Sequence, residues 1–187
     1  FSSDGTITNT ALSMVTGDIG SNVGLTSGFT STNVIGTIHT NPDASTANAA
    51  TELASVALYL NNVTPDIELM FPAQVGNKLT LTPHTYTLNA ATVLTDTLFL
   101  NAQNNVNATF LFKINGALSS SANAKVVLQN GAQARNIYWL IDGNVILATN
   151  TEMKGTVISN VGTIDLGANA KIDGRALTTA GAITTNS

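Results

Sequence analysis

The chain has 187 residues, enough for one domain with a sizeable core. Charged residues make up 10% of it and hydrophobic ones 43%; an ordinary soluble domain carries roughly 25% charge, so the 28 Thr and 22 Asn must supply the polar coat. A net charge of −4 with scattered Lys and Arg, no cysteine, and no apolar run near the ~18 residues of a membrane span exclude phosphate tracking, disulfides, thiolate chemistry and membrane insertion.

From the amino terminus the first elements are short coils of fixed length. Gly5 and Gly24 lie 19 residues apart, and so do Gly17 and Gly36. Val15-Thr16-Gly17-Asp18-Ile19 parallels Val34-Ile35-Gly36-Thr37-Ile38, an apolar-x-Gly-x-apolar pattern followed by Ser21 or Thr40. The next segment breaks the period. From Asp43 to about Asn61 there is no glycine, and Ala47, Ala50, Leu53, Ala54, Ala57 and Leu60 recur at helical spacing. Pro42-Asp43 and Ser45 are start signals and Pro65 follows the end, so a helix is expected over about 43–61. Its alanine-rich face suits close packing along a flat surface.

After the helix the coils lengthen. Leu118 to Val126 resembles Val145 to Met153, 27 residues on, with Asn123 and Asn150 in the same place. Near the carboxyl terminus the 19-residue period returns: Gly143, Gly162 and Gly181, Gly155 and Gly174, and Asn150 and Asn169. Glycine and asparagine tolerate the positive φ of tight corners. Between corners apolar residues alternate, as at Leu98 and Leu100 or Val126 and Leu128. Short strands, Gly/Asn corners and a fixed period read as a solenoid, a β-helix with one continuous core. The first coils match the last ones better than the middle ones. The helix is therefore expected to carry the chain back along the axis, so that the last coils stack near the first.

Several stretches resemble the microbial ice-binding protein family. They are Val15-Thr-Gly-Asp-Ile-Gly20, the alanine-rich helix, Leu79-Thr-Leu-Thr-Pro-His-Thr-Tyr86, and Asn107-Ala-Thr-Phe-Leu-Phe112. Leu128-Gln-Asn-Gly-Ala-Gln-Ala-Arg-Asn-Ile-Tyr-Trp139 and Gly174-Arg-Ala-Leu177 match as well. The resemblance covers nearly all of residues 1–187. It implies a mostly β fold, a discontinuous right-handed β-helix with one long α-helix along its side, as a single domain. It implies secretion, no cofactor, no metal and no catalysis. It also implies binding to an ice crystal surface through one flat face, with thermal hysteresis and inhibition of ice recrystallisation. The chain starts at Phe1 without a signal peptide, which is read as the product of leader removal. A monomer is expected.

The corner glycines serve as rulers for the face that would touch ice. Three residues after them stand Thr8, Ser27, Ser119, Ile146, Asp165 and Thr184. One residue after them stand Thr6, Leu25, Ala117, Asn144, Thr163 and Ala182, and five after them Thr10, Phe29, Ser121, Ala148, Gly167 and Asn186. The position two after holds Ile7, Thr26, Leu118, Val145, Ile164 or Ile183 and should point inward. The candidate ice-binding residues are Thr6, Thr8, Thr10, Ser119, Ser121, Asn144, Ile146, Thr163, Asp165, Ala182, Thr184 and Asn186. Their side chains are short, and none is Lys, Arg or Glu. By contrast Asp18, Thr37, Thr156 and Arg175, with Ile158 and Leu177, form a mixed surface suited to helix packing or solvent.

Some β-helices cleave polysaccharides, which needs clustered carboxylates or cations. The eight Asp are spread along this chain, His39 and His84 form no motif, and neither Gly-x-Ser-x-Gly nor His-Glu-x-x-His is present. Strand alternation should make one of Tyr138 and Trp139 core and the other surface. The alternative reading is a non-catalytic, glycan- or surface-binding adhesin module.

Overall fold

The computed structural model describes residues 1–69 and 74–186. Short parallel strands wind into coils around one apolar core, and a single long α-helix, Ala44–Asn62, lies along the outside. Three faces result. One sheet, here called the open sheet, has eight strands. Their spatial order is Thr26–Ser27, Ile7–Asn9, Ile183–Thr185, Ile164–Leu166, Val145–Leu147, Leu118–Ser120, Thr92–Thr95 and Gln74–Gly76. The first coils thus stack on the last, as the shared period predicts.

A second, nine-stranded sheet turns a corner inside its long strands. In Glu152–Ser159, Glu152 pairs with Lys125, while Thr156 to Ser159 pair with Tyr138 to Ile141. Lys171–Thr178 follows the same path beside it. One half, called the charged sheet, also holds Thr80–Leu81, Thr97–Asn101 and Lys125–Gln129. The other half, the covered sheet, holds Ile67–Glu68, Thr85–Leu88, Phe110–Ile114 and Ile137–Ile141.

Alternation along the strands sends one set of side chains inward. Tyr86, Phe112 and Trp139 stand in register on neighbouring strands and stack with ring centroids 5.2 and 4.0 Å apart. Their polar atoms are satisfied inside the core: the Tyr86 hydroxyl donates to the Thr82 carbonyl and Trp139 Nε1 to that of Lys154. Trp139 is core, while Tyr138 is half-buried beside the helix.

The glycines form the expected columns. A Cβ on Gly162 would strike the Gly143 backbone, one on Gly181 that of Gly162, one on Gly5 that of Gly181, and one on Gly24 that of Gly5. Asn123, Asn150 and Asn169 line another corner at φ of 63°, 60° and 57°.

The helix packs on the covered sheet. Leu53, Ala57 and Leu60 meet Leu111, Leu140 and Ile158, with Phe1, Tyr138 and Leu177 around them. Asp43 caps it: its carboxylate accepts from the Thr46 amide, and the Thr46 hydroxyl accepts from the Asp43 amide. The Thr46 amide, and then His39, hold the Asp43 carboxyl below its ordinary range. Lys113 reaches across from the covered sheet to the carbonyls of Asn61 and Val63, placing a cation at the helix carboxyl end. Two details differ from the sequence reading. Ala47 and Ala54 are exposed, because the buried seam is the narrower Thr46, Leu53, Ala57, Leu60 stripe. Phe29 is half-buried and packs against the core instead of facing outward, since its strand neighbour Thr26–Ser27 is the outermost of the open sheet and Phe29 helps to cover the end of the core. A 19-residue helix spans about 28 Å. The eight strands of the open sheet span about 34 Å, so the helix and its connectors carry the chain from one end to the other.

Candidate ice-binding face

The open sheet owes its outward rows to in-register pairing. Ile7, Ile183, Ile164, Val145 and Leu118 are buried, so the residue after each points out. The middle row runs Ser27, Thr8, Thr184, Asp165, Ile146, Ser119, Val93, Gln74. Five of the twelve residues singled out in the sequence stand in it. Thr6, Ala182, Thr163 and Asn144 stand beside them as a second row, tied by ladder bonds from Ile183 to the Thr6 carbonyl, Ile164 to that of Ala182 and Val145 to that of Thr163. At the far edge the Thr10 hydroxyl donates to the Asn186 side chain at 3.3 Å, and Ser121 lies exposed further along the same edge. All twelve are thus on one sheet or its rim.

Side-chain hydrogen bonds stiffen this surface. Asn144 Oδ1 accepts from the Thr163 amide at 3.0 Å. Thr163 and Thr184 both donate to the Asp165 carboxylate, one to each oxygen. Asp165 is the one charged residue in the middle row, and its neighbours tie both of its oxygens sideways. Ile146, 50% exposed, puts an aliphatic surface at the centre. Rows repeat at the strand separation of about 4.8 Å, so the sheet presents a rigid lattice of methyl, hydroxyl and amide groups.

Sequence reasoning missed Val93 and Gln74, which extend the middle row. The reason is local: Ala90-Ala91 takes the corner place held elsewhere by glycine, with Gly116 stacked directly on it, so the glycine ruler gave no mark. The alternation of buried Thr92 and Leu94 around Val93 was the available signal.

The other faces differ. On the charged sheet Lys125 pairs with Glu152 and Lys154 with Asp173, each at 3.1 Å. The covered sheet turns Leu111, Leu140, Ile158 and Leu177 to the helix. His39 binds Asp43 at the helix start, and His84 lies exposed beside Pro83. Among the described residues no three His, Asp or Glu side chains stand close enough to hold a metal ion, and no helix is long and apolar enough to cross a membrane.

Known proteins resemble this chain throughout its length. The ice-binding protein of Nostoc sp. strain HG1 is 34% identical over 181 residues, which are 96% of this chain and 65% of that protein. The crystal structure of an ice-binding protein from an Antarctic Flavobacteriaceae bacterium superposes with a TM-score of 0.97 at 53% identity, covering 99% of this chain and 44% of that one. A domain of Shewanella frigidimarina ice-binding protein 1 superposes with a TM-score of 0.87 at 27% identity, over 99% of this chain and 89% of that domain. The chain therefore spans just under two thirds of the Nostoc protein and less than half of the Flavobacteriaceae one. All of residues 1–187 match the ice-binding-like family, and the chain belongs to that family.

Proposed function

We propose that this chain is a secreted, monomeric protein that binds ice through the open sheet, without catalysis or cofactor. The observation that carries the reading is the middle row, where eight in-register positions hold short or uncharged side chains apart from Asp165. A rigid array of methyls and hydroxyls repeating at one strand spacing orders water into an ice-like layer, which then joins the crystal. The side chains are already fixed by β-branching and by bonds between rows, so adsorption costs little conformational entropy. The twelve residues named above form the contact.

The test places one bulky ring on each of two sheets. Thr184→Tyr lifts the open sheet off the crystal and is expected to abolish most thermal hysteresis and recrystallisation inhibition. Val127→Tyr, beside Phe99 on the charged sheet, is expected to leave both intact. Val127→Tyr should change stability by no more than about 0.5 kcal/mol, and Thr184→Tyr, which also loses the hydroxyl bond to Asp165, should cost about 1 kcal/mol or somewhat more; thermal melting checks that both stay folded. Full activity in Thr184→Tyr, with loss in Val127→Tyr, would assign the ice face to the charged sheet.

A further inference from the structure

A column of buried hydroxyls runs under the corner between the covered and open sheets. Ser21, Ser2, Thr178 and Ser159 stand in register in neighbouring coils, all fully buried. In the coils beyond, the same inward place holds an aliphatic residue: Ile141 pairs with Ser159, Ile114 with Ile141 and Leu88 with Ile114, and all three are buried. The change follows the length of the corner. Glycine comes two residues after Ile141 and Ile114, at Gly143 and Gly116, but three after each hydroxyl, at Gly24, Gly5, Gly181 and Gly162. The longer corner leaves backbone polar groups facing the core, which a hydroxyl satisfies and a methyl does not.

The bonds form a chain along the axis. Each hydroxyl donates to a glycine carbonyl of the neighbouring coil: Ser159 to Gly143 at 2.8 Å, Thr178 to Gly162 at 2.7 Å, Ser2 to Gly181 at 2.7 Å, and Ser21 to Gly5. Ser159 and Ser21 also accept from the glycine amide of their own corner, Gly162 and Gly24. Those carbonyls belong to the peptides that begin the second row of the open sheet, because Asn144, Thr163, Ala182 and Thr6 directly follow the four glycines. The peptide between Gly162 and Thr163 is held at both ends. Its carbonyl accepts from Thr178 inside the protein, and its N–H donates to Asn144 Oδ1 on the outside at 3.0 Å. The Thr163 hydroxyl then donates to Asp165. A short run of hydrogen bonds therefore joins a fully buried hydroxyl to the outer face.

We propose that Thr178 and Ser159 are positioning residues for the ice contact. Their hydroxyls fix the planes of the Gly162–Thr163 and Gly143–Asn144 peptides, and with them the heights of Thr163 and Asn144 above the sheet. This inference rests on the open sheet being the ice contact. A peptide that loses its inner bond can rock about its flanking bonds, and glycine has no Cβ to resist the motion. Rocking displaces the Thr163 side chain and its amide bond to Asn144 together. Groups that must be fixed anew on adsorption cost conformational entropy, so a loosened second row weakens the contact. Neither hydroxyl reaches the surface, so both act through the row above them.

The experiment separates the hydroxyl from the shape of its side chain. Thr178→Val keeps the shape and removes the donor, whereas Thr178→Ser keeps the donor and removes the methyl. Tyr86→Phe removes a different buried donor, the one bonded to the Thr82 carbonyl at the corner between the charged and covered sheets. Each variant is expected to lower the melting temperature by about 2–8 °C. Hysteresis is read at the freezing point, where all three are expected to be folded. In Thr178→Val, exchange of the Thr163 amide is expected to quicken about five- to tenfold, and thermal hysteresis to fall about twofold or more as the contact loosens. Thr178→Ser and Tyr86→Phe should keep both at the level of the unaltered chain. Full hysteresis in Thr178→Val, or an equal loss in Thr178→Ser, overturns the positioning role and leaves the ice reading standing. An unaltered chain without activity on ice overturns the ice reading, and the positioning role with it.

Discussion

The open and charged sheets are built by the same coils, one strand after the other around each turn. Their inward residues are alike: Ile164 and Val145 under one, Met153 and Val126 under the other, all buried. Their outward residues are not. The charged sheet alternates Lys125 with Glu152 and Lys154 with Asp173 across neighbouring strands, whereas the open sheet carries threonine, serine, isoleucine and a single Asp165. Cross-strand ion pairs and cross-strand β-branched pairs both support a ladder, so stability alone does not choose between them. The coils would stand with either coat. What distinguishes the two sheets is the outward chemistry each presents to water, and the proposed ice contact rests on that difference.

The strongest test of a shared core beneath two coats is to cut into it. Trp139 is fully buried between Phe112 and the next coils, and its Nε1 bonds the Lys154 carbonyl on the charged side. Trp139→Ala should cost about 3–5 kcal/mol and lower the melting temperature steeply. Ice activity should survive wherever the protein remains folded, and disappear with it. An activity loss in still-folded Trp139→Ala would mean that the open sheet depends on core geometry more finely than its rigid ladder implies.

A second effect belongs to neither sheet. In a protein prepared to begin at Phe1, burial lowers the pKa of its amino group from about 8 to about 5. A base whose folded pKa is depressed takes up its proton in the unfolded chain first, so the unfolded state binds more protons between those values. Stability should therefore be highest above pH 8, fall as pH drops from 8 towards 5, and level off below 5, by at most about 4 kcal/mol. Calorimetry of the chain beginning at Phe1 reads this directly. Acetylation of the amino group should remove the slope, and a slope unchanged by acetylation would place its origin elsewhere.

The solenoid was legible because glycine columns must repeat whenever backbones stack this closely: Gly143, Gly162 and Gly181 mark three coils whatever the intervening residues are. The return of the last coils to the first was legible for the same reason. Val93 and Gln74 were not, because Ala90-Ala91 replaces the corner glycine and leaves only alternation to read. The exposure of Ala47 and Ala54 was hidden too, since alanine fits either side of a helix and only the sheet beneath decides how wide the seam is.

The smallest expected effect is the most informative about the two coats. Asp165 is the one residue of the open sheet's middle row that breaks its chemistry, and its carboxylate accepts from the hydroxyls of both Thr163 and Thr184. A carboxylate orients water around its charge and so disturbs an ice-like layer. Asp165→Asn keeps an acceptor for Thr184 and a planar group of the same size while removing the charge. Exchanging charge-assisted bonds for neutral ones should cost about 1 kcal/mol, a fall of roughly 2–4 °C in melting temperature. Thermal hysteresis should nevertheless rise modestly. The matched change on the other sheet, Asp173→Asn, breaks an exposed ion pair with Lys154 worth at most about 1 kcal/mol, and should leave activity on ice unaltered. If hysteresis falls in Asp165→Asn, the carboxylate is itself part of the contact. The open sheet would then owe its activity to the Thr163–Asp165–Thr184 hydrogen-bonded cluster rather than to the scarcity of charge that separates it from its neighbour.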